Sequence, residues 1–257
     1  GLEISEHLFK KGIISLANGP RFIAAKRSDR SMDQFYNHDD KEAEKKKTQY
    51  TTFDDAGRFT GFTVREEGNN VVVTANYKLG CFDQAVWTIA PDGTAAIDFT
   101  YNFSGVVDLM GVMFDYPEDK VLSKRWVGDG PYRVWQNRLH GPQLGVWENE
   151  YNDPIPAESF TYPEFKGYFA NVQWMTLKTQ EGTISICNRT PQNYVGVYQP
   201  RDGRDGLLYT FPATGISLMK VIPPVRNKVN TTDLIGPSSQ AFWVDGAYGG
   251  SITLKFE

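Results

Sequence analysis

The sequence is dominated by short strand-like segments separated by turn residues, and this pattern constrains the fold more than any other feature. Ile97, Phe99 and Tyr101 alternate with Asp98 and Thr100, which is the two-residue period of a strand that buries one face. Clusters of glycine, proline, asparagine and aspartate separate such segments, as in antiparallel sheets with short connections. The further predicted strands include Arg21–Ala25, Phe59–Val64, Val71–Tyr77, Gln84–Ile89, Val172–Leu177, Thr183–Cys187 and Ile216–Ile222. No amphipathic helical pattern exceeds about three turns, so the chain is predicted to be all-β.

The predicted strands are too numerous for one small sheet. Roughly fifteen segments can be counted, and that number favours two packed layers. Leu109–Phe114 is apolar without alternation, which predicts a central strand buried on both faces. Gln240–Asp245 and Ser251–Phe256 flank a glycine-rich stretch and are predicted to form a closing hairpin. We therefore expect a large antiparallel two-sheet sandwich, with residues 1–257 in a single domain.

Charge, hydropathy and cysteine usage argue against several classes of function. The net charge is −4 without a clustered basic face, so no nucleic-acid partner is predicted. No apolar run reaches membrane-spanning length, so no membrane partner is predicted either. Cys81 and Cys187 are not in a C-x-x-C pair, which leaves one disulfide or two free thiols open. Asp202 and Asp205 lack the full calcium-loop pattern, and neither a metal nor a cofactor is predicted.

The segment from Trp126 to Asp153 holds the residues best suited to a binding site. Three of the six tryptophans lie in it, together with Gly/Pro corners and planar polar side chains. Aromatic rings stack on the apolar faces of sugars, while charged and amide groups bond sugar hydroxyls. Asp129, between two glycines, is equally typical of a turn, and each tryptophan is equally typical of a core. The candidate carbohydrate-binding residues are Trp126, Asp129, Arg133, Trp135, Asn137, Arg138, His140, Trp147, Glu148 and Trp243.

No catalytic residue is predicted among these candidates. Glu148 and Glu150 are two apart in a predicted strand, so their side chains share a face about 7 Å apart. A glycosidase needs two carboxylates on opposite sides of the scissile bond, and such a pair usually comes from different strands. A sugar epimerase would need a histidine with an acid, and His140 is the histidine of this segment. Trp87 and Trp174 lie inside clear strands and are interpreted as buried core rings.

The order of the motifs resembles that of a known family of domains. The pattern is W-x-G-x-G-P at 126–131, W-x-N-R at 135–138 and G-x-W at 145–147. It resembles the motif in the C-terminal domain of glycoside hydrolase family 2 β-galactosidases. Asn18–Arg21 and Tyr162–Leu177 resemble flanking signatures of the same domain. The resemblance therefore extends over nearly the whole chain.

The chain departs from that family's pattern at two places. Tyr132–Val134 stands where the family often has His-Glu-Asn, so ligand contacts are not transferred to these positions. The family's final loop often reads Gly-Gly-Asp-Asp-Ser-Trp, whereas here Trp243 precedes Asp245 and Gly249-Gly250. The expectation that Trp243 lines a site therefore rests on its own glycine-rich surroundings.

The resemblance implies a galactose mutarotase-like β-supersandwich at the end of a multidomain glycoside hydrolase. Such a domain binds a galactoside or a plant or host glycan, or supports the active site of a neighbouring catalytic barrel domain. The barrel's nucleophile and acid have no counterpart here, so the isolated chain is expected not to be catalytic. The abrupt start at Gly1-Leu2-Glu3 leads us to expect an excised piece of a longer protein, and the resemblance implies a C-terminal domain of a periplasmic or extracellular parent. Two alternatives stay open, a stand-alone sugar enzyme such as an aldose 1-epimerase and a purely structural packing module.

Overall fold

The computed structural model describes residues 13, 15–16, 19–27, 50–53, 57–150, 167–198, 214–225 and 234–257. Within these residues the strands are β1 Arg21–Arg27, β2 Tyr50–Thr52, β3 Arg58–Glu67, β4 Asn70–Lys78, β5 Phe82–Ile89, β6 Ala95–Val107, β7 Leu109–Phe114, β8 Val121–Gly130, β9 Gln143–Glu150, β10 Trp174–Thr179, β11 Gly182–Asn188, β12 Tyr194–Tyr198, β13 Gly215–Val221 and β14 Phe242–Phe256. Short 3-10 helices cover Glu118–Lys120 and Pro237–Ser239. In this described part of the chain, no helix is long and apolar enough to cross a membrane.

The strands form two antiparallel sheets. One has five strands in the order β12-β13-β7-β1-β2, and the other has nine in the order β3-β4-β5-β6-β14-β11-β10-β8-β9. Neighbouring strands pair antiparallel throughout both sheets. Strands β3 to β6 follow one another in space as they do in sequence, which makes them a meander with short turns. The predicted all-β class with two antiparallel sheets is confirmed.

A large apolar core joins the two sheets. Phe22 of β1 contacts Tyr101 of β6, with ring centroids 5.3 Å apart, and both rings are buried. Ile97 and Phe99 continue the buried row of β6, while the polar residues between them are exposed. The alternation seen in the sequence therefore marks the face of β6 that packs on the five-stranded sheet.

Strand β7 lies at the centre of the five-stranded sheet, and all six of its residues are buried. Met110 and Val112 belong to the core between the sheets, while Leu109 and Met113 belong to a second apolar cluster on the opposite face. A Cβ on Gly111 would lie 2.4 Å from the Leu218 carbonyl oxygen, so the backbones of β7 and β13 approach closely there. The predicted central strand without alternation is confirmed, because both of its faces are covered.

The predicted closing hairpin near the end of the sequence is wrong. Residues 242–256 form one strand, β14, which pairs with β6 along almost its full length. The glycines that suggested a turn instead relieve crowding. A Cβ on Gly250 would lie 2.6 Å from the Phe99 ring, and one on Gly249 would lie 2.8 Å from the Phe99 carbonyl oxygen. Because the 13-residue β6 provides a partner for these backbone groups, the chain continues straight instead of turning.

The structure describes both cysteines, but it does not describe every segment for which the sequence made a prediction. Cys81 and Cys187 are both free, so the two thiols, not a disulfide, are observed. The loop that contains Asp202 and Asp205 lies outside the described residues, as does Tyr162 at the start of one resembling segment.

Candidate functional site

Strands β8 and β9 end the nine-stranded sheet and carry most of the predicted site. Trp126 pairs in register with Trp147, and Asp129 pairs with Leu144. The connection 131–142 joins the two strands and carries the other polar candidates of the segment. The hairpin and its connection therefore bring most of the predicted residues to one corner of the sheet. Their side chains, however, point in different directions.

Trp147 lies across the hairpin and packs against its glycines. Its Nε1 donates hydrogen bonds to the carbonyl oxygens of Gly128 and Gln143, each at 3.2 Å. A Cβ on Gly130 would lie 2.4 Å from Cδ1 of the Trp147 ring. Gly130, the second glycine of the G-x-G-P motif, is therefore needed to leave room for this half-buried ring.

Trp126, Arg133 and Trp135 are buried beneath this corner. The Trp126 indole donates to the Asp129 carbonyl oxygen at 3.0 Å, and its ring meets Phe169 edge-on at 5.0 Å. The Arg133 guanidinium carbon lies 5.0 Å from the centroid of the same Phe169 ring, which is a cation–π contact. A fully buried ring has no face for stacking on a sugar, so Trp126 is a core residue in this structure.

Asn137 connects three parts of the chain through its amide group. Its Nδ2 donates to the Val225 carbonyl oxygen at 2.7 Å and to the Ser239 hydroxyl at 2.8 Å, and its Oδ1 accepts from the Val225 N–H at 3.0 Å. These bonds give the side chain a structural role in holding the connection in place. Arg138 and His140, which follow in the same connection, are exposed.

Asp129 lines a cleft of about 160 Å³ beside the hairpin corner. Its Oδ2 accepts a hydrogen bond from Asn171 Nδ2 at 2.7 Å. Asn171 has a φ of +50°, a left-handed conformation that asparagine tolerates better than most residues. Left-handed residues other than glycine are enriched at ligand sites. The remaining lining residues are Leu139, Ala170, Pro191, Gln192 and Tyr194.

Sequence reasoning missed three polar residues of this cleft. Asn171, Gln192 and Tyr194 come from segments about 40 to 65 positions after Asp129, and sheet pairing brings them together. A tyrosine hydroxyl is protonated at neutral pH and can donate a hydrogen bond, and burial raises the pKa of the half-buried Tyr194 hydroxyl further. A usable sequence signal was the polar Asn171 immediately before the predicted strand that begins at Val172.

A second cleft, of about 200 Å³, lies on the outer face of the nine-stranded sheet. Trp174 contributes its ring, which is 37% exposed, so the interpretation of this residue as a core ring is wrong. The core is filled instead by Met175 and Leu177, which point to the opposite face of β10. Glu148 also lines this outer cleft, where its Oε2 lies 3.9 Å from Nε of Arg125.

The other two tryptophans in strands behave differently from each other. Trp87 is half-buried and meets Phe114 of the opposite sheet edge-on at 6.4 Å, which confirms its interpretation as a core ring. Trp243 is 68% exposed and lies opposite Val106, on the strand three places from β8 in the sheet. Trp243 lines neither cleft.

No group of three or more histidine, cysteine, aspartate or glutamate side chains in the described residues is arranged to hold a metal ion. Asp202 and Asp205 are not among these residues. The polar side chains that line the two clefts carry carboxylate, amide, hydroxyl and cationic groups, and Tyr194 and Trp174 add aromatic rings.

Residues 13–216 match the family described as beta galactosidase small chain. The match extends over more than half of the 257 residues. The chain belongs to this small-chain family. The resemblance stated from the motifs is thereby confirmed, and the chain is a sugar-related domain.

Two solved structures, one of a galactose 1-epimerase and one of a GalM/aldose epimerase homologue, are similar to the small-chain domain at low sequence identity. Galactose 1-epimerase from Lactobacillus acidophilus NCFM is 12% identical with a TM-score of 0.41, over 76% of this chain and 65% of that chain. A GalM/aldose epimerase homologue from C. elegans is 8% identical with a TM-score of 0.32, over 77% of this chain and 69% of that chain. The chain thus spans just under two thirds of the length of the Lactobacillus enzyme. No curated protein matches the sequence.

Proposed function

We propose that this chain is a carbohydrate-binding accessory domain of a larger sugar-active protein, and that it binds a neutral sugar in the Asp129 cleft. The observation that carries this proposal is the Asp129–Asn171 pair, a carboxylate and an amide held 2.7 Å apart inside a half-enclosed cleft. Membership in the beta galactosidase small-chain family supports a sugar as the ligand.

The Asp129–Asn171 pair offers the donors and acceptors that neighbouring sugar hydroxyls need. A carboxylate accepts several hydrogen bonds, so Asp129 can accept from a sugar hydroxyl while it still bonds Asn171. The Asn171 amide has a second N–H and a carbonyl oxygen for the same ligand. One hydroxyl then donates to Asp129 while the next accepts from Asn171, and the bond to the charged acceptor is the stronger of the two.

The other walls of the cleft complete a site for a sugar ring. Leu139, Ala170 and Pro191 provide apolar surface, and Gln192 and Tyr194 provide further hydrogen-bonding groups. Small-molecule sites usually combine apolar walls with a few well-placed polar groups. The lining of the Asp129 cleft has this composition.

The proposal assigns the chemistry of the parent protein to another domain, a catalytic barrel. The two acids nominated from the sequence, Glu148 and Glu150, are exposed and project from the same face of β9. Glycosidase carboxylates instead lie on the two sides of the scissile bond. We therefore expect the isolated chain to bind sugar without hydrolysing it.

The proposal is tested by titrating the ¹⁵N-labelled 257-residue chain with galactose, methyl β-galactoside and lactose and following backbone and side-chain amide shifts. Asp129→Asn removes the charge with little change in shape, and we expect about a tenfold rise in Kd from the weakened hydrogen bond. Asn171→Gly removes the amide at a backbone conformation that glycine accepts, and it should weaken binding similarly. Asp98→Asn, at an exposed position of β6, is the matched control and should bind as the wild type does.

Three results would contradict the proposal. Shifts that leave the Asp129 and Asn171 amides unchanged with every sugar would favour a structural packing module. Equal Kd values for the three variants and the wild type would place the ligand elsewhere. Acceleration of galactose mutarotation that is lost in His140→Ala would favour the epimerase alternative over an accessory domain.

A further inference from the structure

The outer face of β10, β8 and β9 carries a second surface that differs from the Asp129 cleft in composition and position. We call it the Trp174 platform, and its lining residues are Ser123, Arg125, Glu148, Trp174, Thr176 and Lys178. Their side chains point away from the core, since the alternate residues Met175 and Leu177 of β10 are buried. The platform is therefore a solvent-facing part of the sheet.

Strand register arranges the platform in rows of different chemistry. Trp174 pairs with Val127, which pairs with Val146 in β9, so one row is apolar. The next row on the same face, two residues along each strand, is Thr176, Arg125 and Glu148. Three neighbouring strands give a surface about 10 Å wide, and successive rows lie about 7 Å apart along the strands.

The third row adds Lys178 and Ser123, and Glu150, which pairs with Ser123 beside the lining residues of the platform, balances the charge of the three rows. Arg125 and Lys178 provide two positive charges, and Glu148 and Glu150 provide two negative charges. A surface for a phosphate, a nucleic acid or a polyanionic chain would instead have an excess of cations. The balance favours a ligand that is neutral and rich in hydroxyl groups.

The half-exposed Trp174 ring gives this ligand an apolar contact beside the polar groups. Tryptophan presents a large rigid face at low cost in conformational entropy and is enriched at binding hot spots. Arg125 and Glu148 lie 3.9 Å apart, and together they provide donors and acceptors in the row next to the ring. Because its lining residues extend across three strands, a width of about 10 Å, the platform suits a chain of sugars better than a single ring.

We propose that the Trp174 platform is a second carbohydrate site, which binds a neutral glycan chain laid across β10, β8 and β9. Trp174 stacks on the face of one pyranose, and Arg125, Glu148 and Thr176 bond the hydroxyls beside it. The platform shares no lining residue with the Asp129 cleft. Either site can therefore fail its test while the other stands.

The test is native electrophoresis of the full chain through gels that contain one soluble polysaccharide each. The neutral probes are β-1,4-galactan, galactomannan and xyloglucan, and polygalacturonate is the anionic probe. We expect retardation in at least one neutral gel and a loss of at least about tenfold in affinity for Trp174→Ala. Trp174→Phe keeps an aromatic face and should retain most of the binding. Phe62→Ala is the matched control, because Phe62 is an exposed aromatic residue of β3 at the opposite edge of the sheet.

Circular dichroism of each variant separates a lost site from a lost fold, and truncation of an exposed ring should leave the spectrum unchanged. The proposal is overturned if a folded Trp174→Ala variant binds the neutral chains as well as the wild type does. It is also overturned if no neutral polysaccharide retards the wild type, or if polygalacturonate alone does so and salt abolishes the effect. Retardation that is lost in Asp129→Asn but kept in Trp174→Ala would assign the chain-binding site to the cleft instead.

Discussion

Glu181 lies in the turn between β10 and β11, and its substitution by glutamine tests how the beginning of the described chain is held to the sheet. Its carboxylate accepts hydrogen bonds from the Ser15 hydroxyl at 2.6 Å, the Ser15 backbone N–H at 3.3 Å and the Tyr116 hydroxyl at 3.3 Å. It also forms an ion pair with Lys120. The Glu181 side chain is 10% exposed, so these partners replace most of its contact with water.

The expected loss of stability follows from what glutamine keeps and what it removes. Glutamine has nearly the same shape, but its amide has one acceptor oxygen instead of two, so it cannot accept all the hydrogen bonds from Ser15 and Tyr116, and it has no charge for Lys120. Hydrogen bonds to charged groups contribute about 1.5–3 kcal/mol, against about 1 kcal/mol for neutral ones. Because a third of the Lys120 side chain is exposed, solvent screens part of this difference, and we expect Glu181→Gln to lower the free energy of unfolding by about 1–2 kcal/mol.

Urea unfolding at pH 7 measures this difference, provided that the transition is two-state. Glu67→Gln is the matched control, since Glu67 also forms an ion pair, with Arg65 at 2.7 Å, but more than half of each side chain is exposed. Exposed pairs contribute at most about 1 kcal/mol, and we expect a loss of about half that or less for this variant. Equal losses for the two variants would refute the argument that burial makes the Glu181 interactions strong.

The difference in stability between the wild type and Glu181→Gln is expected to change with pH. Burial by itself raises the pKa of Glu181, but hydrogen bonds from Lys120 and Ser15 outweigh it and hold the pKa below its ordinary value of 4.5. The unfolded chain therefore takes up this proton first, so the stabilisation is complete above pH 4.5 and declines as pH falls toward the lower folded-state pKa. The difference between wild type and Glu181→Gln should shrink over that acidic range, and a constant difference would contradict the assignment.

Two further substitutions test the packing of the site. Gly130→Ala places a Cβ 2.4 Å from the Trp147 ring and should cost about 1–3 kcal/mol by overpacking; an unchanged Tm in differential scanning calorimetry would show that the ring moves aside freely. Asn137→Ala removes the bonds to Val225 and Ser239 and should cost about 1–3 kcal/mol. It should also speed hydrogen exchange at the Val225 amide, and unchanged protection there would contradict the role of Asn137 in holding the connection.

Local patterns in the sequence predicted most of the strands correctly. The alternation around Ile97 and Phe99 marked the buried face of β6, and the continuous apolar run of Leu109–Phe114 marked a strand covered on both faces. These predictions succeed because strand periodicity and burial follow directly from side-chain direction, which depends on nearest neighbours in the chain. The motif order around Gly130 also indicated the family.

Predictions that depended on a partner strand were less successful. The glycines near Gly250 resemble a turn in the sequence, but the length of β6 and the ring of Phe99 make them part of a straight strand. The position of Trp174 inside a strand suggested a core residue. That prediction failed because strand position alone does not tell which of the two faces is buried. The polar and glycine-rich surroundings of Trp126 suggested a ligand-stacking ring, but the hairpin places it against Phe169 in the core.

The sequence by itself determined the all-β class, most strand positions and the family of this domain, since these follow from periodicity and motif order. Tertiary structure decided which candidate residues share a site. Asp129 lies near Asn171 through the packing of β8 beside the segment before β10, and Trp174 faces solvent through the register of β10. The physical reason is that a shift of one residue in register exchanges the two faces of a strand, and register is settled by contacts between segments that are far apart in the chain.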